Sequence, residues 1–522
     1  MILLKKTTPK ILKAAIEVGG EVFEAKHHED AIKEAERRGL DTEFIDQEED
    51  GKFTTSDNRL IDREQAKDEF GITHSHEIQN QKSQTLFPNR NKPMIVIMTK
   101  DYSGLGWAKL CLDAGYPCIL VYRMPEDTEE KDEYELAGTG IVPKLEMDEF
   151  MKVRKSFKNA YIYWDGNHNP EESEILHKEG FKILGGTQFT YDLENDRQMG
   201  ADLSKKCGVN PPDTTEFSTK EDGMQFLDEN DEIAYVFKPD EGVGTYTTYV
   251  PDAYKPRKAN RELWDYLNAQ SGDTGTYILQ ERKDGVEINM EYWMYKGTPF
   301  LCHANFECKR KENHDEGCMV GCAQDIEFIV PIDCKIARET IGRLAKLPEF
   351  KDYTGPLDMN IIICDNEYYF LEFCCRAGYN ATPNLVMSLG LLSFPELLIK
   401  WIDGDVDGYE KYFKKGFGAS VGLRIDHPKK QLPIFIDEDV KFYMFDQYKK
   451  DGKYLLAGYS NETGIVCAHG FTIKAAAEKA IRDSDKINFP MHSCRTDLDL
   501  DNYESSPILR KIACDAMQLF EV

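Results

Sequence analysis

From Pro93 onward the chain alternates short, wholly apolar runs with amphipathic stretches. MIVIMT (94–99) is a continuous apolar run suited to a strand buried on both faces. A glycine loop, DYSGLG, follows, then a helix-like WAKLCLDAG and a second strand, CILVYR. A third unit runs through YIYWDG into HNPEESEILHKEG. Alternation of this kind predicts a doubly wound α/β unit. Residues 190 to about 410 alternate helices with aromatic-rich strands. Residues 417 to about 500 form another short α/β unit: GASVGLRI, VKFYMF, YLLAGY and TGIVCAHG, closed by the helix FTIKAAAEKAIRDSDKI. Residues 1 to about 90 differ. They are richly charged, carry a helix-like HHEDAIKEAERRG, and place Asp62 three residues before Gln65 in the manner of a capping box. The polar EIQNQKSQTLFPNRNK then reads as a linker. The predicted domains are therefore 1–90, 91–190, 191–412 and 413–522.

Charge narrows the partners. The 522 residues hold 65 Lys+Arg against 93 Asp+Glu, a formal net charge of −28. Such a surface repels phosphate polymers and anionic lipid, so neither nucleic acid nor a membrane surface is expected as a partner. The most apolar stretch, residues 385–402, carries Gly, Pro, Glu and Lys and does not read as a membrane span. MILLKKTTPK lacks a signal-peptide core, and the 14 Cys form no even framework. The expectation is a cytoplasmic protein with reduced thiols.

Three segments of the middle region carry candidate chemistry. In IAYVFKPDEGVGTYTTYV (233–250) a strand delivers Lys238 beside a loop holding Gly242, Gly244 and Thr245. An ammonium next to an amide-rich loop can grip polyphosphate, although a hairpin with a surface lysine has the same pattern. In TYILQERKDGVEINMEYWM (276–294) a strand ends at Gln280-Glu281, a turn falls at Lys283-Asp284-Gly285, and Glu287 sits on the returning strand. A carboxylate there can accept from vicinal ribose hydroxyls, or simply face water. TGPLDMNIIICDNEYYFLEFCCRAG (354–378) reads as two strands joined at Asp365-Asn366, with Asp358 on the first and Glu372 on the second. The two carboxylates come to neighbouring positions, where they could share a hard cation or pair with Arg376. At Ser103–Gly106 the glycines have G-x-G spacing without a third, and the second strand ends in Arg123 rather than an acid, so a dinucleotide fingerprint is weak.

In this order, Lys-plus-loop, ILQER…GVE and D…LEFxxR, the segments resemble the ATP-grasp enzymes, and within them the phosphoribosylamine–glycine ligases. The likeness runs from about residue 94 to about 500 and takes in ILGG (183–186), NFECKRKENHDEGCMVGCAQD (305–325) and the tail TGIVCAHGFTIKAAAEKAIRDSDKINFP…RTD. The resemblance implies an ATP-grasp fold, with a preceding doubly wound α/β domain, a C-terminal α/β domain and a small α+β N-terminal module. It implies ATP and Mg²⁺ as cofactors, small-molecule carboxylate and amine substrates, and amide formation through an acyl phosphate, a step of purine biosynthesis. Lys238 would contact the phosphates under the loop Gly242–Thr245, with Arg197 nearby. Glu281 would lie at the adenine edge and Glu287 on the ribose. Glu372 with Asp358 would hold Mg²⁺, while Arg376 and Lys309 would serve the transferring phosphoryl. HHEDAI…GKFTTSDNRLIDREQA resembles a module that recurs in bacteriophage genomes, which implies a phage origin and a host cytoplasm.

Three departures bear on substrate. The family's LEFN is Leu371-Glu372-Phe373-Cys374 here, and a neutral thiol is a poor Mg²⁺ ligand. The expected ATP-site lysine falls at Arg197, and RFGDPE becomes Arg376-Ala377-Gly378-Tyr379-Asn380. Two rival readings follow: a non-catalytic nucleotide-binding protein, and a ligase acting on another amine such as a modified nucleotide. Cys302, Cys308, Cys318 and Cys322 near His303 and His314 match no paired CxxC spacing and are predicted to be thiols rather than zinc ligands.

Overall fold

Apolar runs too short for helices force the chain from Lys92 onward into sheets that must be covered on at least one face. In the computed structural model the described residues are 11–18, 21–25, 31–33, 52–55, 60–61, 92–100, 103–124, 131–239, 248–252, 255–270, 275–364, 367–427, 430–497 and 519–520. The chain divides into two compact units, Met1–Asn91 and Lys92–Val522. In the first, strands Ile11–Val18, Glu21–Ala25, Lys52–Thr55 and Leu60–Ile61 form one antiparallel sheet. His27 and His28 of the helix-like run and the Asp62–Gln65 box lie outside the described residues.

The second unit opens with a parallel sheet. Strands β1 (Ile95–Thr99), β2 (Cys118–Tyr122), β3 (Lys144–Glu146), β4 (Tyr161–Trp164) and β5 (Lys182–Leu184) pair in the order β3-β2-β1-β4-β5. Every residue of β1, β2 and β4 is buried, as their unbroken apolar sequences require. Helix α1 (Leu105–Asp113) crosses from β1 to β2. Helices α2 (Gln188–Asn195) and α3 (Arg197–Lys206) follow; Thr187 and Thr190 close a capping box on α2, and Asp196 caps α3 through Met199 N–H.

A three-stranded sheet comes next, β6 (Thr214–Phe217), β7 (Tyr235–Pro239) and β8 (Tyr277–Glu281), with β8 central. It faces a larger antiparallel sheet: β9 (Val286–Tyr295), β10 (Thr298–Glu312), β11 (Glu316–Val330), β12 (Gly355–Cys364), β13 (Glu367–Phe373), β14 (Phe417–Ile425), β15 (Phe442–Met444) and β16 (Glu462–Gly470). Their order is β13-β12-β9-β10-β11-β14-β16-β15, and His492–Ser493 adds to β14. Two expectations change here. The turn at Lys283–Gly285 does not close a hairpin, because β8 and β9 belong to different sheets. The strands read as a separate C-terminal unit, β14 and β16, instead extend the central sheet through β11–β14 pairing. The hairpin of β12 and β13 is as expected, with its turn residues outside those described.

Helix α4 (Phe394–Asp403) and helix α5 (Ile473–Ser484) cover the sheets. Trp107 of α1 is a junction between the parallel sheet, α4 and β15: its ring lies 5.8 Å from Tyr163, 4.2 Å from Phe394 and 5.1 Å from Tyr443. Each such aromatic pair contributes about 0.5–1.5 kcal/mol beyond its area. Gly106, one residue earlier, has room for no side chain, since a Cβ there would enter the Tyr443 ring. Gly104 in the glycine loop sits at an ordinary φ of −72°, so no left-handed backbone requires it. The requirement at Gly104 and Gly106 is space. Among the described residues no helix is long and apolar enough to cross a membrane.

Gly106→Ala should therefore destabilise the protein by about 1–3 kcal/mol through overpacking against Tyr443. Urea unfolding followed by tryptophan fluorescence measures it, and an unchanged midpoint would show that Tyr443 yields freely.

Candidate active site on the polar face of the central sheet

A strand exposes alternate residues to opposite faces, and β9 uses that period to separate chemistry from core. Ile288, Met290, Tyr292 and Met294 join the hydrophobic cluster beneath the sheet. Glu287, Asn289, Glu291 and Trp293 point the other way. Cross-strand partners share a face, so register carries the polar set across the sheet. Asn289 pairs with Asn305 and Asn360, and Glu291 with His303 and Asp358. Asn305 pairs in turn with Glu327, Glu307 with Asp325, Asp325 with Ser420, and Asn360 with Glu372.

Lys309 is the centre of one group. Its Nζ lies 2.5 Å from Glu287 Oε1, 3.6 Å from Glu307 Oε2 and 3.7 Å from Glu372 Oε1. Burial opposes the ammonium, but Glu287, Glu372 and Glu307 outweigh it and hold Lys309 well above its usual value. Asn360 Nδ2 donates to Glu287 Oε1 at 2.9 Å. Glu372 keeps 54% of its side chain exposed. Burial of its carboxyl is offset by Lys309, Lys238 and Arg376, which together hold it below the usual carboxylate range. Lys238, from β7 of the small sheet, is lowered by burial, with Glu372 the largest opposing influence and Arg197 acting in the same direction as burial. The structure thus brings Lys238, Arg197, Lys309, Glu287 and Glu372 together.

Other expected residues have partners outside this group. Glu281 ends β8 and pairs with Lys283 at 2.6 Å. Arg376 donates from Nε to Glu194 Oε1 of α2 at 3.0 Å, and its guanidinium stacks on Tyr379 at 4.3 Å. Its ion partner is Glu194, not Asp358 or Glu372. Asp358 lies on the same face as Glu372 but one diagonal step away, since Glu372 pairs with Asn360 and Cys374 N–H donates to the carbonyl of Asp358 at 3.3 Å. Gly242, Gly244 and Thr245 are outside the described residues. Burial raises the Cys374 thiol well above its usual value despite Arg376, so it stays neutral. Cys302, adjacent to His303 on β10, faces the apolar core while His303 faces the polar set.

A second group was not foreseen. His303 Nδ1 lies 2.8 Å from Glu327 Oε1 and its Nε2 3.2 Å from Glu291 Oε1, which also accepts from Trp293 Nε1 at 2.7 Å. All three ionisable groups are buried. Burial disfavours the imidazolium, but Glu291 and Glu327 raise His303 to about 10. Burial pushes Glu327 up to about 8 and Asp325 to about 7, against His303 in the first case and Ser420 and Asn384 in the second. The signal was present as the period-two polar residues of EINME and NFE. A third group stands at the ends of β1 and β4. Asp165 Oδ2 accepts from Thr99 Oγ1 at 2.8 Å and from Ser103 Oγ at 2.7 Å. Buried His168 is pushed down to about 3 by burial and by Lys100, Arg123 and Arg376.

A parallel α/β unit, a small sheet carrying a lysine and a large antiparallel sheet carrying carboxylates define the ATP-grasp fold, and the chain has it. In sequence it is similar to phosphoribosylamine–glycine ligase of Lactococcus lactis, 21% identical over 326 residues that span 59% of this chain and 76% of that one. In structure it is similar to phosphoribosylamine–glycine ligase of Thermotoga maritima, with a TM-score of 0.57 at 19% identity over 77% of this chain and 99% of that one. It also resembles the biotin carboxylase domain of Hydrogenobacter thermophilus 2-oxoglutarate carboxylase, solved with MgADP and bicarbonate. There the TM-score is 0.54 at 11% identity, over 82% of this chain and 98% of that one. No family model matches the chain.

Asp325, Glu327 and His303 each bind a proton more tightly folded than unfolded, with values of about 7, 8 and 10 against ordinary ones of 3.8, 4.5 and 6.5. Their contribution is complete below the unfolded values and is lost as pH rises through the folded ones. Unfolding free energy should fall from pH 5 to pH 9, by at most about 1.4 kcal/mol per pH unit for each group. Glu327→Gln should flatten the part between pH 4.5 and pH 8. Urea titrations at stepped pH check this, and a flat wild-type profile would contradict the buried assignment.

Proposed function

We propose that the protein is an ATP-dependent carboxylate–amine ligase that forms an amide through an acyl phosphate. The observation that carries this is the convergence of Lys238, Arg197 and Lys309 on Glu372 and Glu287, between the two sheets of an ATP-grasp fold. The relatives named phosphoribosylamine–glycine ligase support glycine and phosphoribosylamine as the first pair to test, which would place the reaction in purine biosynthesis.

In this reading the nucleotide lies between β7 and the polar face, with Glu281 at its base and Glu287 at its ribose. Lys238, the loop of Gly242, Gly244 and Thr245, and Arg197 meet the phosphates. The donor set fits a hard cation: Glu372 is an ionised, half-exposed carboxylate. Glu372 would hold Mg²⁺, with Asp358 behind it, and the ion would neutralise charge on the transferring phosphoryl. The substrate carboxylate attacks the γ-phosphorus, the bond to the ADP oxygen breaks, and the amine then displaces phosphate from the acyl carbon. Lys309 and Arg376 keep that anionic group oriented. Work of this kind is positioning and charge neutralisation rather than covalent catalysis.

Full-length protein mixed with ATP, Mg²⁺, glycine and a phosphoribosylamine source should release ADP, and a wider acid and amine matrix covers altered substrates. Hydroxylamine should trap an acyl phosphate with the acid alone. Lys238→Met should weaken ATP binding by roughly tenfold to a hundredfold, the loss of one charge-assisted contact. Glu372→Gln should suppress turnover while ATP still binds. ATP binding without ADP release across the matrix would overturn the ligase reading in favour of a non-catalytic nucleotide-binding protein, the alternative that neutral Cys374 favours.

A further inference from the structure

Four side chains stand at the corners of one rectangle on the polar face. Asn289 lies opposite Asn360, and Glu291 opposite Asp358, on the adjacent strands β9 and β12 with no break in register between them. Direct partners on one face are about 5 Å apart at Cβ, and successive pairs are about 7 Å apart along the strands. All four residues are at least nine-tenths buried, at 7%, 3%, 2% and 1% exposed for Asn289, Asn360, Glu291 and Asp358. Each keeps one buried oxygen without a hydrogen-bond partner in the protein: Asn289 Oδ1, Asn360 Oδ1, Glu291 Oε2 and Asp358 Oδ1. The deficit is one-sided, in that every unpartnered atom of the four is an acceptor.

Three ordinary explanations fail on the same contacts. Turning the Asn289 amide would break the 2.8 Å bond from its Nδ2 to Asp358 Oδ2 and aim an oxygen at a carboxylate. Turning Asn360 would do the same against Glu287. Protonating Asp358 or Glu291 supplies one O–H, which can satisfy two of the four oxygens and leaves two bare, and a buried unpartnered acceptor costs about 1–3 kcal/mol. Of the donors nearby, His303 Nε2 faces Glu291 Oε1 at 3.2 Å and Arg376 is held by Glu194. Two carboxylate and two amide oxygens, buried at adjacent positions on one face, are the donor set of a hard cation.

We propose that Asn289, Glu291, Asp358 and Asn360 form a hard-cation site, built into the sheet and loaded without nucleotide. Glu372 lies directly opposite Asn360 at one edge of this rectangle and is not one of the four ligands, and the inference does not depend on the ligase reading. Its ion pins β9 to β12 at the level of Glu291 and Asp358. Cys374 offers no oxygen here, and Asn360 supplies an amide oxygen from the strand beside it.

The test uses the full chain with no nucleotide, and Mn²⁺ or Tl⁺ as the probe. Crystals soaked in either ion should show an anomalous peak bounded by the four residues. Electron paramagnetic resonance should count one Mn²⁺ per chain if the site takes a divalent ion, and Tl⁺ should fill it if the site takes a monovalent one. Asn360→Leu should weaken this ion at least tenfold, Asn360→Asp should retain it, and Glu372→Gln should leave it in place. Added ion should raise the melting temperature of wild type but not of Asn360→Leu. Peaks beside Glu372 only, or ordered waters alone on the four oxygens with both probes, would overturn the proposal, and the wild-type crystals decide it even if the variants fail to fold.

Discussion

The register of the central sheet is the constraint on which everything else rests. Because side chains alternate with period two, a slip of one residue in β9 would send Glu287, Asn289 and Glu291 into the cluster that holds Ile288, Met290 and Tyr292. Burying several charges in an apolar core would cost far more than the few kcal/mol by which domains are stable. The same register, read across β10, β11, β12 and β13, lines up the site's carboxylates with His303 and the two amides. Fold and chemistry are therefore specified by one property, and the apolar face secures the position of the polar one.

That dependence explains what the sequence shows and what it hides. β1, β2 and β4 are legible because an unbroken apolar run has few places to go other than a sheet covered on both faces. Lys238, Glu287, Lys309 and Glu372 are legible because their segments keep a family order, and the structure brings them together. Sheet membership is not legible. A four-residue connection between Glu281 and Val286 has the length of a hairpin turn, yet it carries the chain from one sheet to another. Alternating polar residues in EINME and NFE have the pattern of a strand with one wet face. They are buried because segments distant in sequence close against them, as the Asn289–Asp358 bond shows across 69 residues. Local pattern gives the alternation and not what lies on top of it.

Cys374 illustrates a related point. From the motif alone a thiol in place of a ligand amide reads as a loss. On the sheet, the neighbouring strand places Asn360 directly opposite Glu372, with its amide nitrogen bonded to Glu287. An amide is thus present at the level of the carboxylates, supplied by β12 instead of the end of β13. A site on a sheet is defined by cross-strand neighbours, so ligand chemistry can move between strands while the motif along either one looks broken.

Charge balance sharpens what such a site needs to hold an anion. The chain carries −28, and its acidic surface works against any polyphosphate. The site does not answer with a surplus of base. Lys309 is already engaged by Glu287, Glu307 and Glu372, Arg376 by Glu194, and Arg310 by Asp252 at 3.0 Å. Lys238 and Arg197 face the Lys309 group from the other side. Three carboxylates against three cations leave that group near neutrality, so its attraction for a phosphate is weak until the carboxylates find another partner. In the proposed reading, a cation at Glu372 would supply that partner and free Lys309 and Lys238 to act on the anion. Binding of nucleotide and of metal would then be coupled by electrostatics alone, each lowering the cost of the other.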